Sequence, residues 1–305
     1  MIASLSGSIM TSASRLPFLL LLPIIAFANE AGHPVTLWVA EGTNNRVYLL
    51  GSVHLLRKQD HPLPAIIDSA YDDAEVLVME LDMDDIDGFE MQSLITQLGV
   101  TNDDSTLHDL MGDTLYARAA AKAAAIDIPF AMLAKSEPWL AAITIEQLML
   151  ARLGFDSAYG IEKYLSAKAV ADGKEIHGLE TVAQQIGFLD NLSLRAQRAL
   201  LMQTLDETAD IEEAMDDLIR AWRVGDLRYL EDFLLQDMAK DLEIYETLLV
   251  NRNRRWVDDI DALLDENDDY LVIVGAAHLL GDDGVPMLLA RRGVKITQMH
   301  QPAQN

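Results

Sequence analysis

Val35 to Ala40 and Arg46 to Gly51 are dense in β-branched, aromatic and aliphatic residues, with the polar break "EGTNN" between them. Two such runs around a short glycine-containing break predict a β-hairpin. After the proline-punctuated "HPLP", the segment "AIIDSAYDDA" has helical spacing, and "EVLVMEL" is an apolar run short enough for a buried strand. Strand, helix and strand form a βαβ unit, with the new strand expected beside the first. The middle is patterned as helix: the alanine-rich "TLHDLMGDTLYARAAAKAAAID", then "SEPWLAAITIEQLMLARLG" opening on a serine-x-x pattern, then "IEKYLSAKAVADG" stopped by Gly173. A short strand, "EIHGL", follows, and from Thr181 to about Leu264 almost every segment is amphipathic helix. "DYLVIVGA" has the clearest pattern of a buried strand, and a loop, a helix and a last strand, "VKITQM", come after it. The fold class expected is α/β: a mixed sheet from N- and C-terminal βα units, with a large helical insertion over about residues 105–264.

Within this pattern one phrase occurs twice. "YLLGSVHLL" and "VIVGAAHLL" each run from an apolar strand into glycine, two small residues, histidine and Leu-Leu. In open α/β sheets ligands sit at the carboxyl ends of the strands. His54 and His278 are therefore expected to project from two strand ends into one crevice. Imidazole is both a common metal ligand and a general base near neutral pH. Glu80 closes "VLVME" and Glu180 closes "EIHGLE", so each carboxylate also falls at a strand end. Two histidines with one or two glutamates and an open position suit a hydrolytic divalent metal: zinc, manganese or cobalt. H-E-x-x-H, G-x-S-x-G, the Walker A loop and the dinucleotide fingerprint are all absent. His61, His108, His177 and His300 occur singly and are expected to be structural or exposed; His33 is taken to be uninvolved.

Composition narrows the partners. The 305 residues carry 49 acidic against 23 basic side chains, a formal charge of -26, which repels phosphate backbones and argues against nucleic acid. The acidic residues, among them Asp82, Asp87 and the run from Asp206 to Asp217, read as solvated helix surface. With no cysteine there are no disulfides, thiolate-held metals, cysteine nucleophile or lipoprotein anchor. "RLPFLLLLPIIAFANEAG" has a basic flank, a short apolar core and an A-x-A end, the pattern of a signal peptide over residues 1–28. The mature chain, 29–305, is expected as a single domain in the periplasm or outside the cell, with no transmembrane segment once the signal is removed.

"YLLGSVHLLRKQDHPLP", "AEVLVME", "EPW", "GIEKYL", "GLET", "AWRVGD", "NRNRRW" and "VIVGAAHLLGDDGVPMLLARRG" together resemble the TraB/GumN family, which includes the PrgY pheromone-shutdown proteins and the TIKI metalloproteases. The resemblance runs from about Leu37 to the last strand. It implies a fold related to the erythromycin esterase and ChaN groups, with two GxxH motifs facing one cleft, and metal-dependent peptide hydrolysis. Position by position, the motifs are Gly51-Ser52-Val53-His54 and Gly275-Ala276-Ala277-His278, with Gly51, Ser52 and Gly275 bordering the bound group. The implied metal ligands are His54, Glu80 and His278. Glu180 or Glu162 serves as general base, and Arg252 of "NRNRRW" stabilises an oxyanion or binds a substrate carboxylate. The expected function is thus a secreted or periplasmic metal-dependent hydrolase acting on peptide or protein. Two other readings stand beside it: a non-catalytic envelope protein binding haem, metal or peptide in the same cleft, and an assembly factor docking through its acidic helices.

Overall fold

In the computed structural model, residues 33–83, 86–207, 211–236 and 238–302 are described; the expected signal peptide lies outside them. The hairpin forms as the pattern requires, with β1 (His33–Glu41) antiparallel to β2 (Arg46–Ser52). Then come α1 (Ala65–Asp73) and β3 (Val76–Leu81). A set of helices follows: α2 (Gly88–Gly99), α3 (Leu107–Met111), α4 (Asp113–Ala125), α5 (Pro138–Arg152) and α6 (Ile161–Asp172). They lead into β4 (Glu175–Glu180). A second set consists of α7 (Val182–Asp190), α8 (Leu194–Glu207), α9 (Ile211–Arg223), α10 (Leu227–Leu235), α11 (Leu242–Tyr245) and, after a π-helical turn, α12 (Asn251–Leu263). The chain ends with β5 (Tyr270–Gly275), α13 (Val285–Arg291) and β6 (Ile296–Gln301).

The six strands form one mixed sheet in the order β4-β3-β5-β2-β1-β6. The four from β4 to β2 are parallel; β1 runs against both β2 and β6. All six residues of β5 are buried, as a central parallel strand with both faces covered must be. Their alternation feeds two cores. Leu271 and Ile273 join Tyr48, Leu50, Leu77, Met79 and Trp222 on one face. Val272 and Val274 join Leu49, Val78, Trp256, Val257 and Leu289 on the other. A third core, between α3, α4, α5 and α8, holds Leu107, Met111, Ile145, Leu201 and Leu205 away from the sheet. Each buried aliphatic side chain contributes roughly 1.5–3 kcal/mol, and Leu271, Val272, Ile273 and Val274 of the central strand divide theirs between the two faces.

Several expectations change. β3 does not neighbour β2, because β5 inserts between them and hydrogen-bonds to both. The strand expected at "EIHGL" forms within the helical middle, as the edge strand β4 beside β3. The alanine-rich stretch is two helices, broken at Gly112 with φ +73, a backbone angle that L residues rarely adopt. Helix α5 starts without a serine cap: Pro138 holds its first position, and Ser136 bridges to Val100 instead. Helix α2 was not anticipated. Asp82 precedes it and Asp87 is its N-cap, its side chain accepting from the amides of Phe89 and Glu90.

Candidate functional site

Strand register brings the site together. Ser52 pairs with Gly275, and Leu81 pairs with Glu180, so β2, β5, β3 and β4 end at nearly one level. The residues just beyond those ends therefore share one crevice. His54 lies two residues past β2, and His278 in a single 3-10 turn, Ala276–Leu279, past β5. Glu80 and Glu180 are at the tips of β3 and β4. A cleft of about 270 Å³ opens here, lined by His54, Met79, Glu80, Leu81, Met83, Ser157, Glu162, Lys163 and Gln185.

Gly275 is the hinge of the geometry. A Cβ on it would lie 3.3 Å from Glu80 Oε1, 3.3 Å from His54 Nε2 and 3.7 Å from His278 Cδ2. The backbone amide of Gly275 donates to Glu80 Oε1 at 2.7 Å. The absent side chain leaves two functional atoms facing one small space. Gly51 is also pressed for room, with Ala276 Cα 3.1 Å from its missing Cβ, and its carbonyl accepts from the indole of Trp222 at 2.6 Å.

His54 is held from behind. Its Nδ1 lies 2.6 Å from Glu162 Oε1, and the Ser52 hydroxyl donates to the same oxygen. Ser52 is thereby committed to Glu162 and is not a free nucleophile. Glu162 arrives at this point because α6 starts against the His54 loop: the Ile161 amide donates to the Val53 carbonyl. A Cβ on Gly160 would fall 2.0 Å from the His54 carbonyl oxygen, so only glycine permits that approach. The Glu162 charge, opposed by desolvation, lifts the His54 pKa to about 9. Burial pushes Glu162 upward, but the His54 charge and hydrogen bond outweigh it, and its pKa falls below the ordinary carboxylate value.

His278 is buried and differently disposed. Asn253 donates its amide to the Asp283 carbonyl at 2.8 Å, so its Oδ1 is the acceptor facing His278 Nδ1 at 2.6 Å. The proton is then on Nδ1, and Nε2 accepts from Arg252 Nη1 at 3.1 Å. Burial lowers the His278 pKa to about 3, keeping the ring neutral. Trp256 packs against it with ring centroids 4.4 Å apart.

Arg252 is saturated. Its Nε donates to Glu180 at 3.1 Å, Nη1 to the Leu248 carbonyl and to His278, and Nη2 to Glu80 at 2.6 Å and Glu180 at 2.8 Å. All five N–H groups are spent on the protein, which leaves none for an oxyanion or a substrate carboxylate. Arg252 instead clamps two carboxylates between strands. Burial alone would raise the pKa of Glu80, but the positive groups around it reverse this and bring it to about 2. Glu180, with its side chain 2% exposed, also meets Arg255 at 3.2 Å, and Gln185 reaches both glutamates. Glu180 is thus buried behind two arginines, whereas Glu162 touches His54 and lines the cleft. Of the two general-base candidates, the structure brings only Glu162 to the open side.

The metal expectation can be weighed on the same atoms. A tetrahedral ion needs every ligand to present a free lone pair to one point. His54 Nε2 and Glu80 Oε1 face the cleft, but the Nε2 lone pair of His278 is occupied by Arg252, and Glu80 lies 4.0 Å from it. Among the described residues no group of three or more His, Cys, Asp or Glu side chains has the arrangement to hold an ion. The His54, Glu80 and His278 set converges but, as arranged, does not fit a metal.

Asn253, Gln185 and Lys163 escaped the sequence reading. Asn253 sits beside the flagged Arg252, which was its one local signal. Glu146 on α5 escaped it too; desolvation raises its carboxyl pKa, and it is close enough to His54 for their charges to interact. Of the histidines set aside, His61 bonds the Tyr159 carbonyl at 2.8 Å and His108 pairs with Asp113 at 3.0 Å.

Fold and site together define an α/β protein with a histidine–glutamate cleft at the carboxyl ends of parallel strands. The profile of the TraB/PrgY/gumN family matches residues 36–298, and the chain belongs to that family. It is similar to the Uncharacterized protein YbaP of Escherichia coli (strain K12), at 23% identity over 246 residues, 81% of this chain and 88% of the relative. It is also similar to an Uncharacterized protein of Treponema pallidum (strain Nichols), 23% identical over 273 residues, 84% of this chain and 80% of the relative. No solved structure matches. No helix among the described residues is long and apolar enough to cross a membrane.

Proposed function

We propose that this protein is a hydrolase of carbonyl-linked substrates, peptides foremost, acting in the periplasm or outside the cell once its signal peptide is removed. The observation that carries the reading is the placement of His54 Nε2 and Glu80 Oε1, each 3.3 Å from the side-chain position that Gly275 leaves empty. A water entering from the cleft and bound between those two atoms would have a base and an acceptor within reach. In its neutral form His54 takes a proton from this water as the oxygen attacks the carbonyl carbon. Glu162 stabilises the imidazolium so formed, and His54 returns the proton to the departing amine. Arg252 keeps Glu80 ionised and fixed, a positioning role. The finer kinship with the erythromycin esterase and ChaN groups belongs to this proposal and rests on the family resemblance.

No step above passes through a metal ion. A divalent ion bound by His54, Glu80 and His278 would first require Arg252 to release His278. Peptide-library profiling by mass spectrometry, on the full mature chain, tests the reading. At a pH above about 9, where His54 is neutral in the wild type, cleavage is expected to fall at least about a hundred-fold in His54→Ala, the scale of a lost general base, and to fall also in Glu162→Gln. Equal cleavage by wild type and both variants, or tight peptide uptake without any turnover, would remove the hydrolase assignment; the second result would mark a binding protein. Chelator dialysis followed by manganese, cobalt or zinc tests the metal-dependent form directly.

A further inference from the structure

Among the described residues that line or support the cleft, the ionised side chains of His54, Glu162, Glu80 and Glu180 are matched in pairs, and Lys163 is not. Glu162 is matched by His54, and Glu80 and Glu180 by Arg252 and Arg255. Lys163 is exposed, lines the same cleft, and among the described residues its side chain has no hydrogen-bond or ion-pair partner. Because Lys163 is exposed, water solvates its ammonium and it needs no counter-charge from the protein, so it stands free to meet an anionic group entering the cleft. The helix does not explain its position: Lys163 is in the first turn of α6, the end at which the helix dipole favours acids over bases. Met79, Leu81 and Met83 line the same cleft and give it an apolar part. Glu146, a further carboxyl within charge range of His54 beside Glu162 and Glu80, is not among the residues lining this space.

We propose that Lys163 selects substrates, binding a carboxylate on a peptide whose neighbouring apolar side chain lies on Met79, Leu81 and Met83. The inference rests on the hydrolase reading for its use of the word substrate, but binding alone can test it. The carboxylate has two sources, a free peptide C-terminus or an acidic side chain, and the ammonium recognises the chemistry they share. Lys163 touches substrate without entering proton transfer, so it sets affinity and not the chemical step.

The test is calorimetric binding of three probes to the full mature chain: N-acetyl-Leu-Leu acid, its C-terminal amide, and N-acetyl-Leu-Glu amide. The acid is expected to bind about ten-fold tighter than the amide, the scale of one charge-assisted contact. That preference should drop below about two-fold in Lys163→Gln and return in Lys163→Arg, with circular dichroism unchanged. Equal binding of the Glu amide and the acid assigns the site to any carboxylate; weak binding of the Glu amide assigns it to the C-terminus. An acid-to-amide ratio that is the same in wild type and Lys163→Gln overturns the proposal, as does no measurable binding of any probe. A preference that depends on Lys163 in a protein without peptide turnover removes only the hydrolase reading. Turnover indifferent to the carboxylate removes only this one.

Discussion

Glu162 decides the charge of His54. The folded pKa of about 9 lies above the ordinary 6.5, so the pair contributes stability that is complete below about 6.5 and is lost as pH rises through about 9. NMR titration of the imidazole is expected to show this raised value, and Glu162→Gln should bring it back toward 6.5. For the hydrolase, where neutral His54 is the base, kcat/KM should climb with pH toward about 9 and reach its plateau earlier in Glu162→Gln. An imidazole titrating near 6.5 in the wild type would contradict the geometry. Asn253 is the second residue with a clear cost. Asn253→Ala leaves His278 Nδ1 buried without an acceptor, an expected loss of about 1–3 kcal/mol read from denaturant midpoints. At this scale the sequence pointed to several of the residues that the structure brings together, but not to their partners or to how they pair. The repeated G-x-x-H pointed to His54 and His278, and the ends of two apolar runs pointed to Glu80 and Glu180. Nothing local distinguished Glu180 from Glu162, because the difference lies in Arg252, Arg255 and Gln185, which tertiary packing delivers.

Among the elements, strands were legible wherever an apolar run met a turn, as in "VYLLG", "VLVME" and "LVIVG". Their lateral order was not, since β2 and β5 are joined by hydrogen bonds between segments more than two hundred residues apart, and such pairing leaves no mark in either segment. Helix α2 was invisible for a different reason. Of its twelve residues only Gly99 is buried, so "GFEMQSLITQLG" never had to write a strong apolar face. The loop carrying His54 packs closely on the start of α6. Gly160→Ala is expected to destabilise the fold by about 1–3 kcal/mol, because its Cβ meets a backbone oxygen that cannot swing aside. The measurement is a urea or guanidinium midpoint, and Gly88→Ala, where a Cβ meets nothing within 4 Å, serves as its control.

For the whole molecule, the charge of -26 acts as self-repulsion spread over the surface. Screening should relieve it: raising salt from about 20 mM to about 500 mM shortens the Debye length to a few ångströms, and the melting temperature at pH 8 is expected to rise by a few degrees. A fall on adding salt would mean that surface ion pairs such as Arg292 with Asp258 outweigh the repulsion. The late arrival of β5 has a consequence in time. It is the plank between β2 and β3, and it carries Gly275 and leads into His278. Until the ribosome has delivered it, β2 and β3 have no seam between them, and His54 and Glu80 are not held around Gly275. In a nascent chain of this design the histidine–glutamate site is incomplete for most of synthesis and is assembled only when the last few dozen residues close the gap.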